Sequence, residues 1–119
     1  MDLEKELDHI RLQIKSMAML FQDLEALIKN GNDSREKIEK VLVKNLEDYY
    51  SRVEKMSNKI LKKFDGQVNM KKLLGELGTL RVEALREIES GQIYNNMNRL
   101  SEAFLSISNE VYEIVGFKK

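Results

Sequence analysis

The residue types that most often perform chemistry are scarce in this sequence. It contains one histidine, His9, and no cysteine, so disulfides and thiolate chemistry are excluded. Glu6 and His9 form one Glu-x-x-His pair, whereas a carboxylate-bridged di-iron bundle needs two such pairs and two further glutamates. A Ser-His-acid triad would need the same His9, and neither glycine-rich phosphate-binding pattern occurs. We therefore expect no metal and no cofactor, and we expect His9 to be an exposed surface residue.

One segment carries a local excess of positive charge. The chain has 20 basic and 20 acidic residues, yet residues 55–72 hold six lysines and one acidic residue. The six are Lys55, Lys59, Lys62, Lys63, Lys71 and Lys72. Two interpretations fit this pattern: the helix dipole favours cations near a helix C-terminus whatever the function, and a basic patch can bind an anionic partner such as RNA. The first needs no partner, and under the second these lysines are the candidate RNA-binding residues.

Four amphipathic segments must position these residues. Their apolar residues recur at steps of three and four, which is typical of helices that pack in a bundle. The predicted helices cover residues 3–29, 36–66, 68–90 and 93–116. Short connections and the absence of proline favour an all-α, four- to five-helix up-down bundle. A chain of 119 residues fits a single domain, residues 1–119.

Individual residues predict where these helices begin, bend and end. Asp33, three residues before a glutamate, can cap the second helix. Gly75 and Gly78 interrupt the third helix and predict a kink, a break near Gly78, or a close helix–helix approach. Phe117 follows Gly116 and is expected to fold back on the last helical turn.

The apolar pattern also bears on location and assembly. The longest apolar run covers only five residues, 17–21, against the roughly 20 that span a bilayer, and the N-terminus does not resemble a signal peptide. We therefore expect a soluble, cytoplasmic protein without a membrane partner. The first two helices look too long for one small bundle to bury, and Met17, Met19 and Tyr50 beside their apolar stripes are candidates to contact a second chain. We expect a homodimer.

The second helix contains an unusually polar stretch. Asp48 and Arg52 are four residues apart and share a helix face. Arg52 and Glu54 flank the core position Val53, and a buried acid or guanidinium there would need a partner from another helix. This stretch is therefore the candidate for a site within the bundle.

The same stretch carries a family resemblance. Residues 49–56, Y-Y-S-R-V-E-K-M, continued through Ile60 to Asp65 and Gly66, resemble the signature F-Y-x-x-I-E-x-I … I-D-G of HEPN proteins. The branch concerned comprises ribonuclease toxins paired with a minimal nucleotidyltransferase antitoxin. Residues 69–74, N-M-K-K-L-L, are similar to that branch's N-W-H-x-x-L-L, and the closing Gly-Phe is similar to its Y-G-F. The resemblance covers residues 35–117.

The resemblance implies a dimeric bundle whose RNA-cleaving groove lies at the dimer interface, here residues 92–115. The motif positions on the second helix are Tyr49, Tyr50 and Glu54. Counted back from the closing Gly-Phe, the family's catalytic arginine, histidine and tyrosine fall on Ser108, Glu113 and Val115. None of the three is retained, so the general acid or base and the stabilising cation are missing. Arg52, Glu54 and Tyr112 are expected to lie nearby, but none replaces the histidine.

Three functions follow as hypotheses. The first is a non-catalytic HEPN-like protein of an RNA-linked defence or toxin-antitoxin system, which binds RNA or an antitoxin-like nucleotidyltransferase. The second is a generic helical adaptor or inhibitor that binds a protein partner through its long amphipathic helices and has no RNA role. The third, least favoured, is an active enzyme that uses unfamiliar residues.

Overall fold

The computed structural model describes residues 2–31 and 34–118, which form five α-helices and no strand. The helices are α1 (Leu3–Asn30), α2 (Arg35–Lys63), α3 (Met70–Ser90), α4 (Ile93–Asn109) and α5 (Val111–Val115). The predicted all-α, four- to five-helix bundle is confirmed. Among these helices none is long and apolar enough to cross a membrane.

The four long helices pack in an up-down arrangement. α1 packs against α2 and α4, and α3 packs against the same two helices from the opposite corner. The short α5 closes one end of the bundle against α1, α3 and α4. The result is an elongated body of 47 × 21 × 20 Å, whose length matches α1, because 28 residues at 1.5 Å per residue give about 42 Å.

Apolar side chains from all five helices fill one continuous core. Phe21 of α1 and Phe104 of α4 stack at its centre, with ring centroids 5.5 Å apart and planes 10° from parallel. The hydroxyls of Ser101 and Ser108 donate to α1 carbonyls, each over 2.9 Å. Met17, which we predicted could contact a second chain, is completely buried in this core. That prediction is wrong because α4 covers the same stripe of α1 within one chain.

Both ends of α2 differ slightly from prediction. The N-cap is Ser34, whose hydroxyl accepts the Lys37 backbone N–H at 3.3 Å. Asp33, the predicted cap, lies outside the described residues. The helix ends at Lys63 rather than at Gly66, which instead occupies the following turn with φ 84°.

The glycines of α3 do not break it. Asn69 caps the helix by accepting the Lys72 N–H at 3.2 Å, and the helix then runs unbroken to Ser90. The predicted break near Gly78 is therefore wrong, and the predicted close helix–helix approach is confirmed. A Cβ atom at Gly78 would lie 3.1 Å from the hydroxyl oxygen of Tyr50 on α2.

The predicted fourth helix is interrupted at Glu110, which separates α4 from α5. The apolar stripe continues across this break, so periodicity could not reveal it. The end of α5 confirms the predicted cap. The N–H of Gly116 donates to Glu113 and that of Phe117 to Tyr112, a Schellman motif, and the Phe117 ring lies 5.8 Å from the Tyr112 ring.

Candidate nucleic-acid interface

The six lysines of residues 55–72 lie at one end of the bundle, because α2 ends there and α3 begins there. All six are exposed. Lys55, Lys59 and Lys62 are spaced by four and three residues, so they share one outward face of α2. Lys71 and Lys72 occupy the first turn of α3. We call these residues, with Lys63, the lysine surface.

The lysines of the lysine surface form no ion pair among the described residues. Elsewhere on the same helix Lys40 pairs with Glu36, and Lys44 pairs with Asp48, each over 3.3 Å. No carboxylate of residues 2–31 or 34–118 lies within ion-pair distance of any lysine of the surface. Their ammonium groups are therefore available to an external anion, while the lysines upstream already have partners. The acidic first turn of α1, with Glu4 and Glu6, lies at the same end of the bundle.

Arg52 extends the lysine surface, which the sequence pattern did not predict. The side chain is exposed, and its guanidinium lies over the ring of Tyr49 at 5.2 Å. Asp48, which shares a helix face with Arg52, forms its ion pair with Lys44. Glu54 is exposed as well, so these residues form no buried site within the bundle. The signal that could have placed Arg52 is its position one turn before Lys55.

The motif position Tyr50 takes part in packing between α2 and α3. Its ring lies under the Arg81 guanidinium at 4.7 Å, and Arg81 forms an ion pair with Glu47 at 2.6 Å. Burial is the main cause that raises the Tyr50 pKa, the charges of Glu54 and Glu47 add to it, and Arg81 opposes them. At neutral pH this phenol is therefore protonated, and it cannot act as a base.

The positions aligned with the family's catalytic residues do not form a groove within one chain. Ser108 is buried, and its hydroxyl donates to the Arg11 carbonyl. Glu113 is exposed to solvent, and Val115 is buried. The three therefore differ in environment and have separate structural roles.

Tyr112 also lies away from the polar stretch of α2. Its hydroxyl donates to Asp8 of α1. The short helix that carries Tyr112 packs on α1, α3 and α4 but, within the described residues, not on α2. Tyr112 lies next to the motif position Glu113, as expected, whereas the expectation that Arg52 and Glu54 lie near the motif positions is wrong, because within the described residues α2 packs on neither α4 nor α5. Burial and the hydrogen bond to Asp8 raise the pKa of Tyr112 to about 12, so it is a donor at neutral pH.

A second charged cluster joins α3 to α4 and has no counterpart in the sequence analysis. Arg99 contacts Glu83 at 2.8 Å and Glu87 at 2.5 Å, and the Asn96 amide donates to Glu87 at 3.1 Å. The hydrogen bond to Glu83 is the main cause that raises the pKa of Arg99. Its partners are 12 and 16 residues away along the chain, a separation at which no local pattern identifies a pair. These ion pairs and the hydrogen bond connect α3 to α4.

The described residues contain no group of three histidine, cysteine, aspartate or glutamate side chains that could hold a metal ion. His9 is exposed, as predicted. Comparison with known proteins identified no matching family model, no matching curated protein and no matching solved structure.

Proposed function

We propose that this chain is a non-catalytic, HEPN-like cytoplasmic protein that binds RNA through the lysine surface. The observation that carries the proposal is the exposure of six lysines without a carboxylate partner at one end of the bundle. The resemblance of residues 35–117 supports an RNA-linked defence or toxin-antitoxin setting. It also supports a homodimer and a minimal nucleotidyltransferase as the protein partner.

The absence of catalysis follows from the residues at the motif positions. RNA cleavage needs a general acid or base with a pKa near the working pH and a cation that stabilises the transition state. The Ser108 hydroxyl donates its hydrogen bond to a main-chain carbonyl. Glu113 forms no ion pair with a cation of the described residues. Tyr112, next to Glu113, and the motif position Tyr50 on α2 both have raised pKa values. The retained bundle can therefore bind RNA without cleaving it.

The salt dependence of the affinity indicates how many lysines contact RNA phosphates. Each lysine that contacts a phosphate of a single strand contributes about −0.7 to the slope of log K against log salt. Six contacts give a slope of about −4, which lowers the affinity roughly 300-fold between 50 and 200 mM salt. Binding by stacking or by apolar contact would not show this dependence.

The test compares two triple variants by fluorescence anisotropy with a labelled single-stranded RNA. Lys59→Ala, Lys62→Ala and Lys63→Ala remove half of the surface, and we expect the slope to fall to about −2.

The matched control is Lys29→Ala, Lys40→Ala and Lys44→Ala, which removes the same charge from exposed lysines that are paired with carboxylates. We expect this control to leave the slope unchanged. Equal loss in both variants would show that net charge alone attracts the RNA.

A protein-binding adaptor without an RNA role is the second candidate. It is favoured by exposed apolar side chains on α1 and α2, Leu27 and Val41 among them, which are 46% and 50% exposed. An absence of RNA binding by the natural chain at low salt would favour this function over the first.

A further inference from the structure

The outer face of α1 carries exposed apolar side chains although no other helix covers it. Leu12 and Met19 are 48% and 40% exposed and lie on the side of the helix opposite the core residues, and Leu27, 46% exposed, lies between that side and α2. Only two other large apolar side chains of the described residues are as exposed, Val41 on α2 and Val82 on α3. Exposed apolar side chains that lie together on one helix face mark a surface for contact with another molecule.

A groove between α1 and α2 continues this face. Its volume is about 360 Å³. Leu24, Ile38 and Leu42 form its floor, since all three are almost fully buried, and Leu27 and Val41 stand exposed at its edges. Apolar surface therefore extends from the outer face of α1 into a depression that another side chain could fill.

The residues along this face have a spacing that is the same from either end. They are Leu12, Ser16, Met19, Leu20, Asp23 and Leu27, separated by 4, 3, 1, 3 and 4 residues. Every face of an α-helix has such spacing about a point midway between two residues. What this face adds is its residue types, since a two-fold register that places i opposite 39 − i puts apolar residues opposite apolar ones and Ser16 opposite Asp23. We infer that the outer face of α1 binds the same face of a second copy of this chain, with the two α1 helices antiparallel. Leu12 then meets Leu27 of the second copy, and Met19 meets Leu20.

Charge complementarity supports the same register. Lys15 and Asp23 are both exposed, and neither has an ion-pair partner within residues 2–31 and 34–118. In the antiparallel arrangement Lys15 lies beside Asp23 of the second copy, and the symmetry repeats this pair. The apolar centre is therefore flanked by two pairs of opposite charge, as expected for a protein interface with a polar rim.

The size of the face fits a weak dimer. Leu12 to Leu27 spans about 22 Å of helix, and a helix with its side chains is about 10 Å wide. The contact between the two α1 helices is thus roughly 220 Å² per copy in projection, which is the size of a weak, transient contact. We expect a dissociation constant in the micromolar range.

This interface replaces the one that the family resemblance implies, residues 92–115. The apolar side of α4 is already used within the monomer, since Leu100 and Phe104 are completely buried. The inference shares the homodimer with the proposed function, but it does not depend on RNA binding.

Sedimentation velocity over about a 100-fold range of protein concentration tests the interface. We expect Leu12→Glu to raise the dimer dissociation constant at least tenfold, because the charge is buried against a leucine at two symmetric positions. The double variant L12E/L27K places opposite charges across the interface and is expected to restore dimers, while L12E/L27E is expected to be monomeric. Val82→Glu changes a similarly exposed residue on α3 and should leave the dissociation constant unchanged.

Three outcomes would overturn the inference. The natural chain could be a monomer at all concentrations, or Leu12→Glu could have no more effect than Val82→Glu, which would place the interface elsewhere. The variant L12E/L27K could also be as monomeric as L12E/L27E, which would exclude the antiparallel register. Far-ultraviolet circular dichroism confirms that each variant remains folded, and RNA binding by a monomeric variant would show that the proposed function survives without this dimer.

Discussion

Alanine substitutions at the two glycines of α3 test whether the contact between α2 and α3 is as tight as the structure shows. Both glycines lie inside the helix, where alanine is favoured by about 1 kcal/mol. A Cβ atom at Gly75 would meet nothing within 4 Å, whereas one at Gly78 would lie 3.1 Å from the Tyr50 hydroxyl oxygen. Gly75→Ala is thus the matched control for Gly78→Ala.

The free energies of unfolding of the two variants should differ by about the energetic cost of one tight contact. The Tyr50 ring cannot easily retreat, because Arg81 lies over it at 4.7 Å and is itself held by Glu47 at 2.6 Å. Overpacking of this kind costs about 1 kcal/mol at the low end of its range. We expect Gly75→Ala to raise the free energy of unfolding by about 1 kcal/mol, or about 4 °C in Tm, and Gly78→Ala to leave it nearly unchanged.

Urea unfolding followed by circular dichroism measures both free energies, and a double-mutant cycle identifies the cause. Tyr50→Phe removes the hydroxyl oxygen, so Gly78→Ala should gain the full 1 kcal/mol or so in that background. Equal stabilisation by Gly75→Ala and Gly78→Ala in the natural chain, with no coupling to Tyr50→Phe, would refute the reasoning. It would mean that the tyrosine moves aside at no cost.

Further predictions concern buried hydroxyls and one tyrosine. The Ser57 hydroxyl is completely buried and has no hydrogen-bond partner among the described residues, so Ser57→Ala should stabilise the protein by roughly 0.5–1 kcal/mol in urea unfolding. Ser108→Ala should have the opposite sign, about 1 kcal/mol destabilising, because its hydrogen bond to Arg11 is lost. Burial and a hydrogen bond to Glu39 raise the pKa of Tyr94 to about 12 from an ordinary value of 10.0. The stability that Tyr94 contributes should therefore be complete below pH 10 and disappear as the pH rises through about 12, and Tyr94→Phe should reduce that loss.

Each of these predictions has a defined contradiction. A destabilising Ser57→Ala would show that the hydroxyl has a partner in solution, such as a bound water. An unchanged stability for Ser108→Ala would mean that the 2.9 Å hydrogen bond contributes nothing net. For Tyr94, a spectrophotometric titration of the natural chain and of Tyr94→Phe should differ by one tyrosine that ionises near pH 12, and a difference near pH 10 would exclude the raised pKa.

Local sequence features predicted the fold to within a few residues. The steps of three and four along the first segment gave the buried stripe of α1, and α1 ends one residue beyond the predicted Lys29. The Gly-Phe pair at the end of α5 was sufficient to predict its cap, because a Schellman motif involves only neighbouring residues. The break at Glu110 was missed, since an apolar stripe that continues past the break looks the same as one continuous helix.

The candidate site was predicted only in part. The six lysines lie close together in the sequence, and the consecutive helices α2 and α3 bring them to one end of the bundle. Their exposure follows from their charge. The sequence could not show that these lysines lack ion-pair partners or that Arg52 extends their surface. Both depend on which carboxylates lie near each cation in the folded chain. The role of Met17 was misjudged for a similar reason, because its stripe does not reveal whether the covering helix belongs to the same chain.

The sequence by itself determined the first three helices to within a few residues, the apolar face of each helix and the basic segment, because these depend on residues within one or two helical turns. Only the tertiary structure decided which faces are paired. In the folded chain the inner face of α1 and the apolar face of α4 pack in one core, and Tyr50 lies against Gly78. The outer face of α1 stays uncovered. The physical reason is that burial and ion pairing are set by contacts between residues far apart in the chain, and helical periodicity carries no information about the partner.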